Sequence, residues 1–509
     1  MNVGIQQIIQ PGSLKWQSEK TGIAFSQFLR NESWYKSAQV IKHNRKRTVL
    51  KVTPASGNYP TFYIKHFHPL SLKERIKSLW RYRAKMEFKS AMALAAIGIL
   101  TVPIVAWGRK NGHSFLVTEE IKDALEFGNA WNQCMSKALL RKAFLDELGK
   151  FLNQLSHAKV AHPDLHSGNI LVIINNNVNF CLVDLYGIQI NKRITRESHQ
   201  HLLGWLMRMS RDLEFRELYT LLAASGLFSP KANFTKEWRK LSHRLAKEAD
   251  KRWRRRRYKL LKGSSICKEH ITERGKWLLR PSITLNHAES AMGQYEHQIN
   301  NKEIFIKKDT KRQLVRVQVE NVSYIIKEFR KPCTWGRLRP DCRSWLDTYR
   351  LFMHTLPVVQ SYAWLRSRDK RGFLVLEDVG SLKLSTVLAQ SKSSRERRYL
   401  LVALAQLVVW IHDAGIIHGN MKLSNLMVRE HPEWPRMPLV MIDSDSKNLY
   451  NNVSLKKRAR NLCQIYSSLP SNITHLEQLR LLVMYRQHAG LSKKTLRAIL
   501  SYFDHMLSS

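Results

Sequence analysis

Apolar and polar positions alternate in short runs through Thr48–Phe67, the period of half-buried strands, and the last run, FYIKHF, sets Lys65 on a strand. A basic stretch of helical period follows, then a strand ending in an acidic turn, FLVTEE (Phe115–Glu120). A long apolar-periodic helix next runs into a short loop, AHPDLHSGNILV (Ala161–Val172), and an apolar strand closes the series, CLVDLYG (Cys181–Gly187). The same signals then recur in the same order. A β-rich segment, Ile304–Phe329, ends in SYIIKEF with Lys327, and FLVLED (Phe373–Asp378), IHGNMKLSNLMV (Ile417–Val428) and VMIDSDS (Val440–Ser446) follow. Lys65 and Lys327 are 262 residues apart, Asn169 and Asn425 256, and Asp184 and Asp443 259. Near-constant offsets predict a tandem duplication. The seam is expected near Trp277–Ala288, giving domains 1–280 and 285–509.

One stretch reads superficially as a membrane span. Ser90–Gly108 carries no charge over 19 residues, close to the ~20 a spanning helix needs. Gly98 and Pro103 interrupt it, and the matching stretch of the second half carries Asp347, Arg350 and His354. The expectation is a helix–turn–strand passage.

Composition changes this picture mainly through charge. The 509 residues hold 84 Lys+Arg against 40 Asp+Glu, a net +44, with 44% hydrophobic residues. That excludes a disordered chain and points to a polyanionic partner. Cys134, Cys181, Cys267, Cys333, Cys342 and Cys463 form no C-x-x-C pair, so a zinc ribbon or thioredoxin-like site is not expected and a reducing compartment is. The first residues, MNVGIQQIIQPGSLKW, lack the pattern of a secretory signal. The expected location is cytoplasmic.

The loop of the first half reads H-x-D-x-x-x-x-N through His162, Asp164 and Asn169, with Asp184 fifteen residues later at a strand end. Phosphoryl transfer needs these residue types. A carboxylate takes the acceptor's proton, a lysine neutralises phosphates, and a carboxylate with an amide oxygen holds Mg²⁺. Asp164 suits the base, Asn169 and Asp184 the metal, and Lys65 the phosphates, with Glu87 on the following helix placed to pair with that lysine. His162 is expected to pack within the loop rather than do chemistry. A phosphate-binding G-x-G-x-x-G is missing: Gln39–Val52 holds no glycine, and only Gly57 precedes Lys65 in the turn.

These runs, with the helix-to-strand passage AKMEFKSAMALAAIGILTVP, resemble the lipopolysaccharide kinase (Kdo/WaaP-type) family. The second half resembles it through YIIK, RSWLDTYRLFMHTLP, IIHGNMKLSNLMV, VMIDSD and KKRARNLCQIYSSL. The resemblance implies an α+β, protein-kinase-like bilobal fold in two copies, with phosphorylation of inner-core lipopolysaccharide sugars from ATP. It also implies Lys65 on ATP, Asp164 as base, and Asn169 and Asp184 on Mg²⁺. Pro163 stands where protein kinases usually carry Arg, and His166 two residues past Asp164 is shared with small-molecule phosphotransferases; both point away from a protein substrate.

The second loop has Asn420 where the base belongs, and the position of Glu87 falls at or near Ser344, with Asp347 one turn away. A neutral amide cannot accept the proton. Lys327, Asn425 and Asp443 remain, so nucleotide and metal binding are compatible with a second domain that is otherwise a pseudokinase. Two basic stretches suit an anionic surface. Leu72–Lys89 spaces Leu72, Ile76 and Leu79/Trp80 along a basic helix, and Lys251–Lys262 holds eight basic residues in twelve, with Trp253 and Tyr258 interleaved. The expected activity is ATP- and Mg²⁺-dependent phosphorylation of a Kdo or heptose hydroxyl at the inner membrane's cytoplasmic face. The partner is the lipopolysaccharide core or another anionic glycolipid, with peripheral contact to anionic membrane, and nucleic acid is disfavoured. The alternatives are a protein or small-molecule kinase, and a non-catalytic basic protein that binds membrane or nucleic acid.

Overall fold

The computed structural model describes residues 15–18, 38–44, 47–54, 60–68, 82–110, 112–135, 137–190, 215–226, 234–301, 306–308, 310–330, 339–429, 437–442, 446–449 and 453–507. The chain divides into two compact units, residues 1–206 with 213–231, and residues 207–212 with 232–509. Both mix sheet and helix.

The first unit opens with β1 (Lys15–Ser18), β2 (Gln39–His43), β3 (Arg47–Val52) and β4 (Phe62–Phe67). Then come α1 (Arg83–Ala96), β5 (Ile104–Lys110) and β6 (His113–Glu119). The six strands form one antiparallel sheet in the order β1-β5-β6-β4-β3-β2. Alternation along β3 and β4 is what the sequence pattern demands: Leu50, Val52, Phe62 and Ile64 are buried while Lys51, Tyr63 and Lys65 are half-buried. The remainder is β7 (Ala124–Glu126), α2 (Phe127–Met135), α3 (Ala138–His157), β8 (Ile170–Ile174), β9 (Val178–Leu182) and α4 (Phe215–Ala224). Phe144, Leu148, Phe151 and Leu155 bury one stripe of α3 at helical spacing. At Gly149 a methyl group would come within 2.6 Å of Ala224 Cβ, so glycine permits the close approach of α4.

The uncharged stretch Ser90–Gly108 folds as helix, turn and strand. Gly98 takes φ 74° just past α1, and Pro103 precedes β5. Among the described residues no helix is long and apolar enough to cross a membrane. Residues 72–81 of the basic stretch lie outside the described residues.

The second unit begins with α5 (Phe234–Arg256), β10 (Lys268–Ile271), β11 (Gly275–Leu279), α6 (Leu285–Asn300) and β12 (Lys307–Lys308). It continues through β13 (Arg312–Val319), β14 (Val322–Phe329), α7 (Pro340–Met353), β15 (Ser361–Ser367) and β16 (Gly372–Glu377). Its seven-stranded sheet runs β10-β11-β15-β16-β14-β13-β12. Each strand sends alternate residues to opposite faces. Trp277, Ile326, Leu365 and Val375 pack with Ala291 and Tyr295 of α6. Leu278, Trp364, Leu374 and Leu376 pack on the other face with Trp345 and Tyr349 of α7 and Trp253 of α5. The expected seam at Trp277–Ala288 therefore lies inside the second unit, because β11 pairs with β15 and cannot be left out of its sheet. Trp253 is likewise a core residue rather than an aromatic displayed by the basic tract, whose Arg254–Arg257 and Lys259 are exposed.

The second unit closes with α8 (Leu384–Gln390), α9 (Ser394–Asp413), β17 (Ile416–His418), β18 (Leu426–Val428), β19 (Leu439–Met441), β20 (Ser446–Leu449), α10 (Leu455–Tyr466), α11 (His475–His488) and α12 (Lys493–Leu507). One apolar core joins α9, α10, α11 and α12 through Leu404, Leu462, Tyr485 and Ile499. Cys134, Cys181, Cys267, Cys342 and Cys463 are buried thiols.

Candidate active site

In the first unit β4 delivers Lys65 and α1 delivers Glu87. Lys65 Nζ stands 3.1 Å from Glu87 Oε2, with Glu87 1% exposed and its Oε1 buried without a partner. Burial, helped by the charge of Asp184, pushes the Glu87 carboxyl up, against the pull of Lys65 and Arg47.

The loop between α3 and β8 is held by its own side chains. His162 Nδ1 accepts the backbone N–H of Asp164 at 3.2 Å, and Asn169 Nδ2 donates to the Asp164 carbonyl at 2.8 Å. Burial keeps His162 neutral by lowering its pKa, which suits packing. Asp164 is thus clamped through its backbone while its carboxylate is left exposed, with His166 Nε2 3.6 Å away. Asp184 follows β9 with φ 59°, and the Val183 N–H donates to the Asn169 carbonyl at 3.0 Å, tying the two candidate metal donors together. Burial opposes ionisation of Asp184, but Lys65 and Arg47 outweigh it and hold the carboxyl below the usual range.

Lys65 is thus joined to Glu87, and Asn169 to the backbone of Asp164. Glu87, Asp164 and Asp184 line a cavity of about 810 Å³ together with Asn44, Arg47 and Arg83. Sequence reasoning missed the two arginines. Arg47 begins β3 after a turn closed by Asn44, whose N–H donates to the Arg47 carbonyl at 2.9 Å, and its Nη1 lies 2.8 Å from Asp184 Oδ2. A guanidinium thus reaches the cleft from the hairpin where a glycine-rich loop is lacking. Arg83 opens α1 and stacks over Tyr186 at 5.1 Å.

Several of the same kinds of contact occur in the second unit. Lys65 is opposite Leu116 of β6, and Lys327 is opposite Leu374 of β16. His418 Nδ1 accepts the Asn420 N–H at 3.2 Å, Asn425 Nδ2 donates to the Asn420 carbonyl at 2.8 Å, and Ile442 N–H donates to the Asn425 carbonyl at 3.1 Å. The loop is braced further by Asn461 Nδ2, which donates to the His418 carbonyl at 2.7 Å. The chemistry differs. Asn420 replaces the carboxylate. Helices α1 and α7 end alike, with Ile99 N–H on Leu94 O and Leu356 N–H on Leu351 O, preceded by Gly98 and Thr355 at positive φ. Counting back from there puts Ser344 where α1 carries Glu87. Lys327 is buried, 5.4 Å from the Phe329 ring centre. It lines a cavity of about 300 Å³ with Asn425 and the apolar side chains of Leu314, Ile325, Leu376 and Met427. Asp443 lies outside the described residues.

No curated protein matches the chain. Residues 31–224, the part that holds Lys65, Glu87, Asp164, Asn169 and Asp184, match the model of the lipopolysaccharide kinase (Kdo/WaaP) family.

Proposed function

We propose that the chain is a tandem pair of protein-kinase-like units. The first phosphorylates a Kdo or heptose hydroxyl of the lipopolysaccharide inner core from ATP, and the second is a pseudokinase. The observation that carries this reading is the meeting of the Lys65–Glu87 pair with the clamped loop of Asp164 and Asn169 and with Asp184. The duplication rests on the sheet orders β3-β4-β6-β5 and β13-β14-β16-β15, each with a helix between its second and third strands in sequence, and on the matching loop bonds.

Asp164 takes the proton of the sugar hydroxyl as its oxygen bonds to the γ-phosphorus and the bridging oxygen leaves with ADP. Lys65, oriented by Glu87, meets the α- and β-phosphates. Asn169 and Asp184 offer the oxygen donors Mg²⁺ takes. Asn169 spends its Nδ2 on the Asp164 carbonyl, which leaves Oδ1 for the cation. When bound, Mg²⁺ neutralises phosphate charge. Arg47 and Arg83 suit an acceptor that is itself anionic, as inner-core sugars bearing carboxylate or phosphate are. The second unit keeps a braced loop with Asn420 in place of a carboxylate, and a cavity lined by Lys327 and Asn425, which fits a domain that holds a nucleotide or positions the acceptor.

A net charge of +44 and the exposed arginines of α5 fit attachment to the anionic cytoplasmic face of the inner membrane. Mass spectrometry of lipopolysaccharide from cells with and without the gene tests the proposal. One phosphate fewer in the inner core without the gene is expected, and identical spectra would refute the assigned acceptor.

A further inference from the structure

Three histidines gather at one end of the six-stranded sheet, where the chemistry above does not use them. His66 and His68 stand two residues apart at the end of β4, so the strand period turns both toward one side. Antiparallel pairing sets Phe67 opposite Ser114, and so brings His113, at the start of β6, alongside them. His66 Nε2 and His113 Nδ1 are 2.9 Å apart, and the rings of His66 and His68 are 4.2 Å apart between centres. One ring nitrogen from each of the three lies within 4.8 Å of the others. His66 is 2% exposed and stacks on Phe115, while His68 and His113 are half-buried. The buried Thr48 of β3 joins the group, its Oγ1 2.8 Å from His68 Nε2 and 2.9 Å from His43 Nδ1.

We propose that His66, His68 and His113 bind one divalent transition-metal ion of zinc's class, which fastens the end of β4 to the start of β6. Zinc–imidazole bonds of about 2.0–2.1 Å in a tetrahedron place ligand nitrogens about 3.3 Å apart, inside the 2.9–4.8 Å range already present. The ion takes the lone pair of a neutral imidazole from each ring. Three imidazoles suit zinc, copper or nickel and not magnesium, which prefers oxygen. A ligating histidine is normally oriented by a partner on its other nitrogen, and Thr48 is such a partner for His68. Water completes the fourth position. His66 is the chain neighbour of Lys65, so the ion stiffens the strand that carries the lysine. The site does not depend on the phosphotransferase reading.

The test uses the tag-free full-length chain, stripped with a chelator and titrated with Zn²⁺ by calorimetry and with Co²⁺ by visible absorption. One ion per chain, with Kd of about 1 µM or tighter, is expected. The Co²⁺ spectrum should be that of a tetrahedral ion, and excess Mg²⁺ should displace neither metal. His68→Ala and His113→Ala should each weaken Zn²⁺ binding by more than about tenfold, and Thr48→Val by about 10–100-fold. Because the unmodified chain is measured first, a misfolded variant does not decide the outcome. A stripped chain that binds no Zn²⁺ below about 100 µM, or variants that bind it like the unmodified chain, would overturn the proposal.

Discussion

Replacing Glu87 by glutamine separates what that carboxylate does for stability from what it does for the lysine. Glu87 is 1% exposed and makes one contact, 3.1 Å to Lys65 Nζ, while Oε1 is buried with no partner. Its folded-state pKa is raised, burial being the main cause. The native state therefore holds this proton more tightly than the unfolded chain, and stability falls as pH climbs from the ordinary carboxylate value through the raised one. Each unit of such a shift costs about 1.4 kcal/mol above that window. A neutral amide at this position would remove that cost and keep an oxygen acceptor for Lys65. It would exchange an ion-paired hydrogen bond for one from the ammonium to a neutral amide oxygen, a loss of about 1–1.5 kcal/mol in holding the ammonium. Glu87→Gln should thus be as stable as the unmodified chain or more so at pH 8, with the difference fading toward pH 4. Its kcat/KM for ATP should fall about tenfold. Native-state hydrogen exchange at β4 and α1 amides reads the local opening energy, and a coupled ADP assay reads turnover. A variant more than about 1 kcal/mol less stable at pH 8 with unchanged turnover would rule out both roles of the carboxylate.

Arg47→Ala removes a partly buried ion pair worth about 1 kcal/mol from Asp184; Mn²⁺, read by electron paramagnetic resonance, should then bind about fivefold more tightly in the absence of nucleotide. Asp164→Ala should abolish transfer while Asp443→Ala leaves most of it, and equal losses in a phosphate-transfer assay would contradict a passive second unit. At Gly372 an added methyl would overlap Asp341 Oδ2 and stand 2.6 Å from its Cβ, and Asp341 is fixed by Arg339 and the Trp364 indole. Gly372→Ala should therefore destabilise the second unit by about 1–3 kcal/mol, read as a lower unfolding temperature of that unit in calorimetry.

Local spacing made part of the site legible. Asp164 and Asn169 are five residues apart in one loop, and Lys65 sits on a strand whose alternation is plain. Glu87 could be named because one helix follows that strand. Arg47 and Arg83 could not, since nothing local sets two arginines apart among 84 basic residues when the pairing of one with Asp184 spans 137 positions. The histidine cluster left a short signal, His66-x-His68, but its third member arrives only through the β4–β6 register. The seam expected at Trp277–Ala288 falls inside the second unit because β11 pairs with β15, far off in sequence, and β10 pairs with β11, contacts that no local signal announces. Trp253 reads as part of a basic display because Arg252 and Arg254 flank it, whereas its ring is buried and packs beside Tyr349.

The role proposed for Asp164, clamped through its backbone and exposed at its carboxylate, is that of base for phosphoryl transfer. Transfer of ³²P from γ-labelled ATP to purified core oligosaccharide, by the unmodified chain and by Asp164→Asn, tests it most directly. A rate lower by about 10²–10⁴-fold in the variant, with its fold intact by circular dichroism, is the predicted result. Equal rates in the two, or no transfer by either, would contradict it.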